Sequence, residues 1–239
     1  MIEHHLKKIR ARDTLSAEEE QAIRGALGEE RSYPAGHILC RANEELTQST
    51  LLLEGMLGRF KDLRSGQRQV TELHVAGDFA DLHGFTLKRL EHEILALTPC
   101  RVVMVPHDAL RRITEQHPHL TRLYWFATNL DAAIHREWEV SLGRRSAIAR
   151  MAHLLCELRV RLEIVGLAEG DRYRLALTQA ELSECLGLTP VHVNRVLREL
   201  REQGAVAFRG GQVTIGDRPL LERIAEFDPG YLYLEQRAR

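Results

Sequence analysis

A chain of 239 residues with a formal net charge of −1 and 44% hydrophobic residues suits two modest domains, each with its own core. Its four cysteines (Cys40, Cys100, Cys156 and Cys185) are widely spaced with no CxxC, which argues against a disulfide framework and against a zinc or iron–sulfur site. The polar start MIEHHLKKIRARD is unlike a signal peptide and no apolar run reaches membrane-spanning length, so a soluble, cytoplasmic protein is expected.

Ile2 to about Arg12 reads as a short helix, and Ser16-Ala17-Glu18-Glu19-Glu20 starts another that runs to roughly Leu27. From Arg31 the character changes. After the turn Tyr33-Pro34-Ala35-Gly36 come short apolar runs at His37 to Cys40, Ser49 to Leu53, Met56 to Leu63, Gln69 to His74, Ile94 to Leu97 and Arg101 to Val105. Gly55, Ser65-Gly66, Gly77-Asp78 and Thr98-Pro99 punctuate them, which predicts an antiparallel β sandwich or roll.

After Pro106-His107-Asp108 the period becomes helical. Leu120, Leu123, Ala127, Leu130 and Ile134 form an apolar seam along a long helix reaching about Leu142. Its heptad-like spacing predicts a partner helix, most simply the same helix of a second copy; the alternative is that the seam packs on its own β domain. Gly143-Arg144-Arg145 reads as a hinge and Ser146 as the cap of a further helix. Between Arg144 and Gly216 there are 11 arginines against 8 acidic residues, a small excess that suits a polyanionic partner.

The stretch TQAELSECLGLTPVHVNRVLREL (178–200) is the most informative. Thr178 and Glu181 form a capping box, Gly187 permits a tight turn, and Thr189-Pro190 start a second helix. Val193, Val196, Leu197 and Leu200 give that helix a buried stripe. Val191, Asn194, Arg195 and Arg198 share its other face, where salt-bridging charges would be usual. Arginine and asparagine can bond guanine and adenine edges, and valine can meet a thymine methyl, so a helix-turn-helix reading double-stranded DNA is expected. A helical hairpin packed inside another kind of domain is the alternative. Ala205 to Phe208, the turn Arg209-Gly210-Gly211 and Gln212 to Ile215 predict a β-hairpin wing, followed by a tail with a short helix and an irregular Tyr231-Leu232-Tyr233-Leu234 end.

This order of elements, with the Gly77-Asp78-Phe79 turn, Leu97-Thr98 before a strand, and the stretch from Leu177 to Val206, resembles the CRP/FNR family of bacterial transcription regulators over roughly residues 10 to 216. The resemblance implies an α+β chain: an N-terminal antiparallel β roll (a double-stranded β-helix) over 1–116, a long dimerisation helix over 117–143, and a C-terminal winged helix-turn-helix over 144–239. It also implies a homodimer on an inverted-repeat DNA site, with helix 190–201 in the major groove and RNA polymerase as a partner. Arg195 matches the family's guanine-reading arginine. Thr178, Gln179, Thr189 and His192 match phosphate-contacting positions. Val191 departs from the glutamate of many relatives, which accepts from a cytosine, and Pro190 lacks an arginine that some members use for a further guanine.

The sensor residues depart further. Members that bind cyclic AMP use a Gly-Glu pair and an Arg-Ser pair around the ribose and cyclic phosphate. Here Asp81 falls near the glutamate position and Leu90-Glu91 occupy the other, so a phosphate would meet a carboxylate and cyclic nucleotide binding is not expected. Arg89 is the possible substitute, giving Asp81 and Arg89 as the effector-pocket residues. No cysteine precedes Cys40, so the cluster-based oxygen-sensing mechanism is not expected either. Twelve histidines, among them His74, His83, His92, His117 and His119, leave haem or metal sensing open beside the reading of scattered surface histidines. No cofactor and no metal ligand set is assigned. A cupin-type metal enzyme would need two close histidines and a glutamate on a strand, and no strand offers them. A ligand-binding module without DNA affinity would need the Val191–Arg198 face to be buried.

Overall fold

Two short helices, α1 (Glu3–Arg10) and α2 (Ala17–Gly25), open the chain in a computed structural model that describes all 239 residues. Ser16 starts α2 with a complete capping box: its hydroxyl accepts from the Glu19 N–H at 3.1 Å and its own N–H donates to the Glu19 carboxylate at 2.9 Å. The following strands are β1 (Glu30–Tyr33), β2 (Ile38–Cys40), β3 (Gln48–Glu54), β4 (Leu57–Asp62) and β5 (Arg68–His74), then a one-turn helix α3 (Gly84–Leu87), β6 (Glu93–Ala96) and β7 (Cys100–Pro106). They form two sheets, ordered β1-β7-β3 and β2-β6-β4-β5.

The apolar run of β3 is continuous because both faces of that strand are covered. Leu52 points into the roll with Leu57, Ile94, Val102 and Met104. Leu51 and Leu53 point the other way, with Val103 and Val105 of β7, against Leu6, Leu110, Leu120 and Leu123 of the flanking helices. The polar β1 gave no apolar pattern to read, yet its backbone pairs in register with β7 from Glu30↔Val103 to Tyr33↔Cys100.

Next come α4 (His107–Gln116) and the 27-residue α5 (Pro118–Arg144), about 40 Å long at the usual helical rise. α4 ends at His117, because a residue before proline is pushed out of the helical range, and the long helix starts at Pro118, close to the expected 117–143. Leu120, Leu123, Leu130 and Ile134 are all at most 6% exposed. Leu120 and Leu123 belong to the core that packs on the sheet, so the heptad-like seam is filled within the chain. The expected hinge at Gly143 also shifts: Gly143 lies inside α5, and the break falls after Arg144, where Ser146 caps α6 (Ala147–Val165) by accepting from the Ala149 N–H at 3.3 Å.

The remaining elements are β8 (Ala168–Glu169), β9 (Arg172–Arg174), α7 (Gln179–Leu186), α8 (Pro190–Glu202), β10 (Val206–Arg209), β11 (Gln212–Ile215), α9 (Arg218–Ala225) and a 3₁₀ turn (Pro229–Leu232). The four strands form one sheet in the order β10-β11-β9-β8. By compactness, Met1–Lys61, Leu73–Ala133 and Tyr233–Arg239 make one unit, and Asp62–Glu72 with Ile134–Leu232 make the other. In the second unit the carboxylate of Glu157, fully buried on α6, accepts from Trp138 Nε1 at 3.1 Å, Arg161 Nη1 at 2.9 Å and the Tyr231 hydroxyl at 2.9 Å. In the first unit the tail lies on α5, with Tyr233 edge-on to Phe126 and the Arg239 guanidinium 3.6 Å from the same ring. No helix is long and apolar enough to cross a membrane.

Candidate nucleic-acid interface

Local chemistry fixes the two helices that carry the expected DNA-facing residues. The Thr178 hydroxyl accepts from the Glu181 N–H at 3.2 Å, and the Glu181 carboxylate accepts from the Thr178 N–H at 2.6 Å. α7 ends at Gly187, whose φ of 61° is a left-handed conformation that only glycine takes cheaply. Thr189 then caps α8 by accepting from the His192 N–H at 3.3 Å, with Pro190 in the first helical position. Val193, Val196 and Leu200 are at most 2% exposed and anchor α8 against α6 and α7. Leu197, expected in the buried stripe, is only half-buried and reaches a groove instead.

That groove, about 590 Å³ and open to solvent, is lined by Gln179, Val191, Asn194, Arg195, Arg198 and Arg201, together with Leu197 and Phe208. All four residues expected to touch bases line it, and Val191 is 80% exposed. Arg201 and Phe208 were not singled out from the sequence. Arg201 stands three residues after Arg198, so helical spacing could have found it, whereas Phe208 enters from β10 through the tertiary fold. The wing turn is a two-residue hairpin with Arg209 opposite Gln212, and Gly210 and Gly211 both have positive φ, as a type I′ turn requires.

The residues expected at phosphates sit at the starts of α7 and α8. The Thr178 and Thr189 hydroxyls serve as helix caps. Gln179 forms a reciprocal amide pair with Asn194: its Nε2 donates to Asn194 Oδ1 at 2.6 Å, and Asn194 Nδ2 donates back to Gln179 Oε1. His192 Nε2 lies 2.6 Å from Arg195 Nη2. Arg198 has Glu202 at 3.8 Å, a loose pair on an exposed face that leaves its guanidinium available.

In the first unit, the two effector-pocket candidates do not act together. Asp81 is 2% exposed and turned inward, where its Oδ2 accepts from the Thr50 hydroxyl at 2.9 Å and its Oδ1 from the Thr50 N–H. Burial pushes its carboxyl up to about 6. Arg89 is exposed and its backbone bridges to Glu45. The Arg59 guanidinium in the roll is already engaged, by the Ala80 carbonyl at 2.8 Å and Asp131 at 3.0 Å. Gly77-Asp78, the turn that resembles the family's, anchors α1: a Cβ on Gly77 would come within 2.7 Å of the His4 backbone, and Asp78 pairs with Lys8. These residues do not fit a cyclic phosphate, which needs an uncommitted cation facing its oxygens. The four cysteines are each buried, and burial raises every one of their thiols.

Residues 149–224 match the Crp-like helix-turn-helix domain family, and residues 30–117 match the cyclic nucleotide-binding domain family. The transcriptional activator protein anr of Pseudomonas aeruginosa is 24% identical over 204 residues, 85% of this chain and 83% of that protein. The nitrogen fixation regulation protein FixK of Bradyrhizobium diazoefficiens is 28% identical, covering 83% of each chain. Among solved structures, FixK2 from Bradyrhizobium japonicum superposes with a TM-score of 0.73 at 23% identity, over 82% of this chain and 96% of that one.

Proposed function

From the premise that the chain belongs to the CRP/FNR family of DNA-binding transcription regulators, which are not enzymes, we propose that it works as a homodimer on an inverted repeat. In this reading α8 lies in the major groove of each half-site, and the two half-sites are about one DNA turn apart. One observation carries it: four side chains chosen for base chemistry converge on a single open groove beside a glycine-tipped wing. Arg195 reads a guanine, and Val191 replaces a cytosine acceptor with a methyl-sized apolar contact, so the half-site keeps the guanine and changes at the neighbouring pair. RNA polymerase is the further partner implied by the family, and the cytoplasm the place of action.

The partner surface for the dimer is the outer face of α5, not the buried seam. Trp125 is 68% exposed there and Val140 48%. Trp125 borders a hollow of about 350 Å³ walled by Leu82, Phe85, Leu110 and Tyr124, a seat for side chains of a second copy. A cyclic nucleotide is not the effector in this reading, because the Arg59 guanidinium is committed to Ala80 and Asp131, and Arg89 is exposed while Asp81 is turned inward to Thr50. The test is selection of duplexes from a random pool by the purified protein with no effector added. An inverted repeat with the guanine kept and its neighbour altered is expected; recovery of the family's common half-site unchanged, or no enrichment, overturns the reading.

A further inference from the structure

We infer that Gln179 and Asn194 act as one base-reading unit, in which a donor from one side chain and an acceptor from the other together recognise adenine. The inference rests on the DNA-binding reading above and assigns a new role to Gln179. In the reciprocal pair each amide spends one N–H and one lone pair on the other. Asn194 Nδ2 also donates to the Pro190 carbonyl at 3.3 Å. Turning both amides over would set Asn194 Oδ1 against that carbonyl, acceptor against acceptor, so Pro190 fixes which way the pair faces.

The inventory of what is left decides the chemistry. Asn194 has both N–H groups spent and keeps one acceptor lone pair on Oδ1. Gln179 keeps one N–H on Nε2. These two free sites belong to atoms 2.6 Å apart, on the same edge of the pair, and both side chains line the groove with Val191 and Arg195. Adenine presents an acceptor, N7, next to a donor, the N6 amino group, in the major groove. The composite edge matches that pattern, whereas Asn194 alone cannot, having no N–H to spare. Holding both amides before DNA arrives also removes their rotameric freedom in advance. A residue contacting only phosphate would carry no base preference.

The experiment uses the full chain and the selected duplex, with a panel carrying every single base-pair change in one half-site. Gln179→Ala, Gln179→Met (which keeps the side-chain length), Asn194→Ala and the double variant are titrated beside the wild type, with thermal melts to confirm folding. Each single variant is expected to lose about tenfold or more of the preference for adenine at one and the same base pair, and the double variant no more than either. Uniformly weaker binding by Gln179→Ala or Gln179→Met with the adenine preference intact, or loss at different base pairs in the two single variants, overturns the inference while leaving the DNA reading standing. A wild type indifferent to every change removes both.

Discussion

The Arg195 guanidinium is held by a residue on its own helix: Nη2 lies 2.6 Å from Nε2 of His192, three positions earlier on α8. Arginine has donors and no acceptor, so the imidazole nitrogen must accept and the ring must carry its proton on Nδ1. In the proposed reading, this contact places His192 to aim the arginine at its base.

His192→Ala leaves the guanidinium unaimed. Its preference for guanine over other bases should fall by about 0.5–1.5 kcal/mol, the net worth of one hydrogen bond, with little change in binding to unrelated DNA. Fluorescence anisotropy on duplexes differing at that one base pair measures it, and a uniform loss across duplexes would return His192 to the phosphate.

Val191, 80% exposed, has no group that can accept from a cytosine. Val191→Glu supplies one and should move the selected half-site toward the cytosine-containing form, with a gain there of about 1–3 kcal/mol. An unchanged preference would mean that Val191 does not reach the base edges.

Trp125→Glu tests the proposed dimer face. The side chain is 68% exposed in the single chain, so the monomer's melting point should stay nearly unchanged. With Trp125 as a central anchor, dimer association should weaken by at least about 2 kcal/mol. Sedimentation velocity over a concentration series reads this, and an unaltered dimer would place the interface elsewhere.

Glu157 joins α5, α6 and the tail in the second unit. Burial raises its carboxyl against the pull of Arg161. Glu157→Ala would remove the buried carboxylate that pairs with Arg161, itself 6% exposed, and accepts from Trp138 and Tyr231, and should cost about 3–5 kcal/mol in a urea melt. A loss below about 1 kcal/mol would show that the carboxylate is dispensable.

Stability should depend on pH through opposed groups. The Asp81 carboxyl is raised to about 6, so the folded chain keeps a proton that the unfolded chain releases, and this contribution falls as pH rises from about 4 to about 6. His5 and His153 are lowered by burial to about 4 and about 3, with the nearby Arg145 charge adding to the effect at His153. The unfolded chain takes up those protons first, so their contribution is lost as pH falls below about 6.5. Asp81→Asn should add stability on the order of 2 kcal/mol at pH 7 and steepen the rise of the melting temperature between pH 4 and 6. His153→Phe should flatten that rise. Parallel profiles in the variants and the wild type would contradict both assignments.

The elements that carried strong local chemistry could be read from the sequence. The capping boxes at Ser16 and Thr178, the cap at Ser146 and the glycine turn at Gly187 all stand where their residue types place them. β1 was not legible because Glu30–Tyr33 is polar and is held by backbone pairing to β7. The α5 seam was legible as apolar but not in its partner, since heptad spacing is the same whether a helix packs on a sheet or on another helix. At the interface, spacing brought out the face of α8 but not what Gln179 and His192 do there. Their bonds to Asn194 and Arg195 depend on side-chain directions that spacing does not encode.

The most direct measurement is titration of the selected duplex with wild-type protein and Arg195→Ala, at fixed salt. A reading helix requires the variant to lose about 1–3 kcal/mol on that duplex and to become indifferent to the base pair that Arg195 reads, with non-specific binding largely kept. Equal affinity and an unchanged base preference in the two proteins would contradict the placement of α8 in the major groove.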